Sequence, residues 1–174
     1  GRIPILSNEQ GFAYVRKVTA HEKSSGSWTS RALLVADLPD SINYKAQSDG
    51  VAALLPAGYQ KSTVYLTDHA IGEARQLFAS SLATGVGLVN YMGHGGTDRL
   101  AKSGILTLED VPSLVNRDRF PVISALTCVL NRYEYPAYAS LGELLTLKED
   151  GGAIAVWSST GYSFPEAAEP LNEK

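Results

Sequence analysis

The sequence predicts a single α/β domain, an α/β/α sandwich of three layers around a mostly parallel sheet. Two observations carry the expectation. Five short runs rich in Val, Leu and Ile recur along the chain, and stretches with helix start and stop signals separate them, as in sheets covered by helices on both faces. A third observation is size. At 174 residues, 44% hydrophobic and 19% charged, the chain is globular in composition and long enough to bury one sizeable core.

The expected strands are residues 32–36, 63–66, 86–91, 121–127 and 153–157, each too short for a helix. The first helix is announced by Ser7-Asn8-Glu9-Gln10, whose Ser7 and Gln10 have capping-box spacing, with Phe12, Val15 and Val18 following at three-residue intervals. A second capping box, Ser140-Leu141-Gly142-Glu143, opens a helix that closes at Gly151-Gly152. Residues 69–82 and 107–114 read as further helices. The stretch 44–58 is ambiguous because Gly50 and Pro56 interrupt it. No internal repeat divides the chain, so residues 1–174 form one domain.

A net charge of −3 leaves no basic stripe for nucleic acid and no polybasic cluster for an anionic membrane. No apolar run approaches the roughly 18 to 20 residues needed to cross a bilayer. The chain opens on Gly1-Arg2-Ile3-Pro4, with neither a methionine nor a signal-like run, so a piece of a longer chain is expected. One Cys and three scattered His do not make a zinc site, and no metal or cofactor is expected.

Parallel sheets bind ligands beyond the carboxyl ends of their strands. There the five runs end in Asp37, Asp68, His94, Cys128 and Ser158-Ser159-Thr160, which places an acid, an imidazole and the single thiol on one rim. A lone cysteine at a strand end reads first as a small buried hydrophobe. Here Val129-Leu130-Asn131-Arg132-Tyr133 makes a turn-like polar exit, which presents the thiol at the edge, facing turn amides that lower a thiol pKa. His94 lies in Met92-Gly93-His94-Gly95-Gly96, where the glycines either only shape a turn or admit a substrate backbone. In the second case the amides of Gly95 and Cys128 form an oxyanion hole.

These segments resemble the gingipain family of cysteine peptidases, within the caspase-like clan. The matching blocks are Gly87-Leu88-Val89-Asn90-Tyr91-Met92-Gly93-His94-Gly95, then Pro121-Val122-Ile123-Ser124-Ala125-Leu126-Thr127-Cys128, and Ser140-Leu141-Gly142-Glu143 leading into Gly151-Gly152-Ala153-Ile154-Ala155-Val156. Histidine precedes cysteine, the reverse of the papain-like order. The resemblance implies a caspase-like fold, a Cys128/His94 dyad, a polypeptide substrate and an exported bacterial setting, secreted or at the cell surface. It also implies an acid that orients the histidine. Asp37 is the candidate, against the alternative of a turn-forming Asp before Leu38-Pro39-Asp40, and Asp68 is the reserve.

In such enzymes the segment after the last strand walls the pocket for the residue before the cut. Here that assigns Tyr162 and Phe164 to the wall and Glu166 to a basic preference, with Glu169 as a second nearby acid. The turn departs from the family in having Thr127 before the nucleophile and Asn131, Arg132 and Tyr133 after it, with Asn131 able to take a left-handed conformation. Two rival readings stay open: a catalytically silent scaffold, and a processing enzyme that transfers the acyl group to an amine.

Overall fold

The computed structural model describes residues 2–135 and 137–163. Strands β1 (Arg31–Ala36), β2 (Gln60–Tyr65), β3 (Leu88–Met92), β6 (Val122–Leu126) and β7 (Ala155–Ser158) form one sheet in the order β2-β1-β3-β6-β7. Every neighbouring pair is parallel. Each expected run overlaps one strand. The largest shift is in β2, whose first four residues are polar and exposed, as an edge strand tolerates. A two-stranded hairpin of β4 (Arg99–Leu100) and β5 (Leu106–Thr107) was not foreseen, because two residues carry no periodicity.

Helices lie on both faces, because each strand alternates its side chains between two cores. On one face Leu33, Val35, Val89 and Ile123 pack with Phe78 and Leu82 of α3 (Ile71–Thr84) and Leu141 and Leu145 of α4 (Leu141–Leu147). On the other, Leu34, Ala36 and Met92 meet Tyr44 and Val51 of α2 (Tyr44–Leu54). Full burial of such side chains contributes roughly 1.5 to 3 kcal/mol each. The ambiguous stretch 44–58 is thus helical through Leu54. It stops there because Leu55 precedes Pro56 and is extended, at φ −65° and ψ 137°.

Residues Leu108–Ser113 form a 3₁₀ turn in place of the expected helix; Pro112 sits inside it and offers no amide for a continuing ladder. Helix α1 (Asn8–Lys23) is capped by Ser7, which accepts from the Gln10 amide. Its packing is not what its apolar spacing suggests: Phe12 and Val15 are exposed and Lys17 is buried. The Lys17 ammonium donates to the carbonyls of Leu145, Thr146, Lys148 and Gly151, and so occupies the free C-terminal end of α4. A polar anchor, not an apolar stripe, docks this helix.

Candidate active site

The strand order places the chemistry. From β1 the chain steps outward to β2 and then crosses back to β3, so the connections at the carboxyl ends of β1 and β3 part and leave a crevice. Asp37 and Asp40 follow β1, His94 follows β3, and Cys128 follows β6, the neighbour of β3. Met92 and Leu126 are register partners, so His94 and Cys128 each stand two residues beyond a matched pair on adjacent strands. Both line one cavity of about 180 Å³, together with Tyr44, Thr127 and Ser163.

Two glycines make this approach possible. Gly93 has φ +151°, and a side chain there would meet Asp37 Cβ at 2.3 Å. A Cβ on Gly95 would stand 2.3 Å from Thr127 Oγ1 and 2.8 Å from its Cγ2, so only glycine lets the histidine loop lie against the residue before the cysteine. Among the described residues, the amides of Gly95 and Cys128 make no hydrogen bond.

The cysteine turn is held from two sides. The Val129 amide donates to Gly161 O at 2.9 Å and the Asn131 amide to Ser159 O at 3.1 Å, which lays the segment after β7 along the turn. Asn131 Nδ2 donates to Val156 O at 2.9 Å. The left-handed residue is Val129, at φ +49°, and not Asn131. A β-branched side chain is strained in that region, and the strain sits directly after the thiol. The Ser163 amide donates to Cys128 Sγ, and the thiol is placed to donate to Ser163 O, both at 3.4 Å.

Around the histidine the two acids divide. The Asp37 carboxylate accepts from the backbone amides of Leu38 at 2.7 Å and His94 at 3.2 Å. The carboxylate at the ring belongs to Asp40, whose Oδ2 lies 2.6 Å from His94 Nε2. Asp40 is held below the usual carboxylate range, first by the Ile42 amide and then by His94. Asp68, at the end of β2, pairs instead with Lys45 at 3.2 Å. Tyr91 supports the loop from below, donating from its buried hydroxyl to His94 O at 2.5 Å. Nε2 is thus the ring nitrogen that faces the Asp40 carboxylate.

Of the expected residues, the fold brings His94, Cys128, Gly95 and Asp37 together. Tyr162 is 83% exposed beside Ser163, while Phe164, Glu166 and Glu169 lie outside the described residues. Asp40 and Tyr44 were missed. The signal for Asp40 was its position in the turn after β1; for Tyr44 it was masked by the ambiguity of its helix.

The chain is 28% identical to Lys-gingipain of Porphyromonas gingivalis over 94% of its own length, and 26% identical to Lys-gingipain HG66 of the same organism. It spans about a tenth of the length of these curated relatives. The crystal structure of the Arg-specific cysteine proteinase gingipain R matches with a TM-score of 0.79 at 20% identity, covering 97% of this chain and 42% of the other. The complex of P. gingivalis RgpB pro- and mature domains matches at 0.82 and 19% identity, with the same coverage. Similarity at that level speaks for the fold, which is caspase-like. The model of peptidase family C25 matches residues 1–174, so the chain belongs to that family, the gingipain family of cysteine peptidases.

Proposed function

We propose that this chain carries the catalytic dyad of a cysteine endopeptidase, with Cys128 as nucleophile and His94 as acid/base. The observation that supports the reading is the position of the two residues, each two places beyond a matched pair on adjacent strands, with both lining one cavity. The Cys128 thiolate attacks the scissile carbonyl carbon, an S–C bond forms, and the carbonyl electron pair moves onto oxygen. The amides of Gly95 and Cys128 receive that oxyanion. As it collapses the C–N bond breaks, and His94 gives its proton to the leaving amine. His94 then takes a proton from water, which attacks the thioester and releases the acid and the thiol. Asp40 orients the imidazole through Nε2, and Asp37 fixes the loop backbone that carries it.

The substrate is a polypeptide, and the preferred residue before the cut is basic. The names of the relatives, Lys-gingipain and an Arg-specific proteinase, support that preference, with Tyr162 and Phe164 as pocket wall and Glu166 as partner for the cation. A secreted or cell-surface setting belongs to the same proposal; no described helix is long and apolar enough to cross a membrane.

The acyl-enzyme is the test. After brief mixing with excess Lys or Arg peptide and an acid quench, mass spectrometry should find the acyl adduct on Cys128. Cleavage of the peptide with no adduct on Cys128 would overturn the reading. Transfer to an added amine in place of water would mark a processing transpeptidase. A silent scaffold is favoured by one observation, the contact of both Ser163 backbone polar atoms with the thiol. It requires neither adduct nor cleavage.

A further inference from the structure

Tyr44 is the first residue of α2, immediately after its N-cap Asn43, and only 4% of it is exposed. Its ring meets the His94 imidazole edge to face, with centroids 5.6 Å apart and planes at 77°. Its hydroxyl oxygen lies 3.4 Å from His94 Nε2, the nitrogen that Asp40 contacts at 2.6 Å. One imidazole N–H therefore has two oxygens before it, one from a carboxylate and one from a phenol. The phenol also lines the cavity shared with Cys128.

We propose that Tyr44 is a positioning residue for the histidine: its oxygen is the second acceptor for the Nε2 proton, and its ring edge holds the imidazole with Nδ1 turned toward the Cys128 cavity. The inference rests on the dyad proposed above. Its physical basis is that a proton held at Nε2 by two acceptors leaves Nδ1 as the only site that can exchange one with the thiol. Support for Nε2–H also stabilises the imidazolium formed when Cys128 gives up its proton, and with it the thiolate.

The surroundings keep the phenol in its neutral, hydrogen-bonding form. Burial first, and then the charges of Asp40 and Asp37, push its pKa up to about 12. The titratable groups facing this cluster are Asp37 and Asp40 from the turn after β1, Tyr91 from β3, His94 from the loop after it, and Cys128 from the loop after β6. Lys102, from the hairpin turn, acts on Asp40. Two of the groups around the phenol, Asp40 and Asp37, are carboxylates. The imidazolium is the charge this arrangement is built to receive.

The experiment is alkylation of Cys128 by iodoacetamide between pH 5 and 9, on the purified full chain, with the modified residue located by peptide mapping. Tyr44→Phe keeps the ring edge and the packing but removes the oxygen. It should slow alkylation at pH 7 by about 3- to 10-fold, the net scale of one hydrogen bond, and move the midpoint of the rate profile to higher pH. A merely structural tyrosine would change the melting temperature and leave that midpoint in place. A wild-type rate and midpoint in Tyr44→Phe, alongside slow alkylation in His94→Ala, overturns the role of Tyr44 and leaves the dyad standing. Wild-type alkylation in His94→Ala overturns the dyad, and this inference with it.

Discussion

The Asp40 carboxylate lies 2.6 Å from His94 Nε2 although 54 residues separate the two in sequence. Asp37, three residues closer to the strand, meets His94 at its backbone amide. The two acids therefore make different predictions. Asp40→Asn should reduce kcat by removing the acceptor that selects the imidazole tautomer, though by less than loss of the imidazole itself. Asp37→Asn should act through the loop and lower the melting temperature together with the rate. Equal kcat in Asp40→Asn and wild type, with a clear loss in Asp37→Asn, would hand the orienting role back to Asp37.

Cys128→Ala should abolish peptide cleavage and leave the circular dichroism spectrum unchanged, since Cys128 is half-buried and, among the described residues, its thiol makes two long hydrogen-bond contacts, both to Ser163. His94→Ala should lower kcat/KM by about 10² to 10⁴, the scale of a positioned acid/base group. Turnover retained in a pure Cys128→Ala preparation would remove the nucleophile from its role.

The contact of Gly95 with Thr127 predicts a rescue. Gly95→Ala should be destabilising and inactive, because its Cβ would fall 2.3 Å from Thr127 Oγ1. Thr127→Ala deletes both close atoms and leaves only its own Cβ, at 3.1 Å. It also removes a buried hydroxyl that has no partner among the described residues, so the single change should cost little. The double variant should be more stable than Gly95→Ala alone. A double-mutant cycle by urea denaturation measures the coupling, and strict additivity would show that the clash is relieved elsewhere.

Lys17→Met should destabilise the fold by about 3 kcal/mol or more, since it strips a buried donor from four carbonyls at and just beyond the end of α4. Burial pushes the Lys17 amine down to about 7, with the Asp150 carboxylate pulling the other way, so much of its worth lies in these hydrogen bonds. The checks are urea midpoints of Lys17→Met and Phe12→Ser. Phe12 is exposed, so its variant should be near wild type; the reverse ranking would mean that α1 docks through its apolar side after all.

How much of this was legible in the sequence follows from the range of each interaction. Buried parallel strands are largely apolar on both faces, so β1, β3 and β6 announced themselves by composition, and with them the rim that carries His94 and Cys128; β7 was legible from its apolar run although it is a partly exposed edge strand. Capping boxes are local in the chain, and the one at Ser140 and Glu143 formed as read. The glycines around His94 were legible because a close backbone approach leaves few other residue types. Tertiary packing decided the rest. Which acid meets the imidazole depends on how the turn after β1 folds back, a matter of ångströms between Asp37 and Asp40. The turn at Val129 is held by hydrogen bonds from Val129 to Gly161 and from Asn131 to Ser159, 32 and 28 positions away. Lys17 reads as a surface charge until α4 presents its open end, and Tyr44 as an ordinary helix residue until the sheet brings His94 beside it. A sequence records which groups a residue can pair with; only the assembled sheet determines which of them arrive.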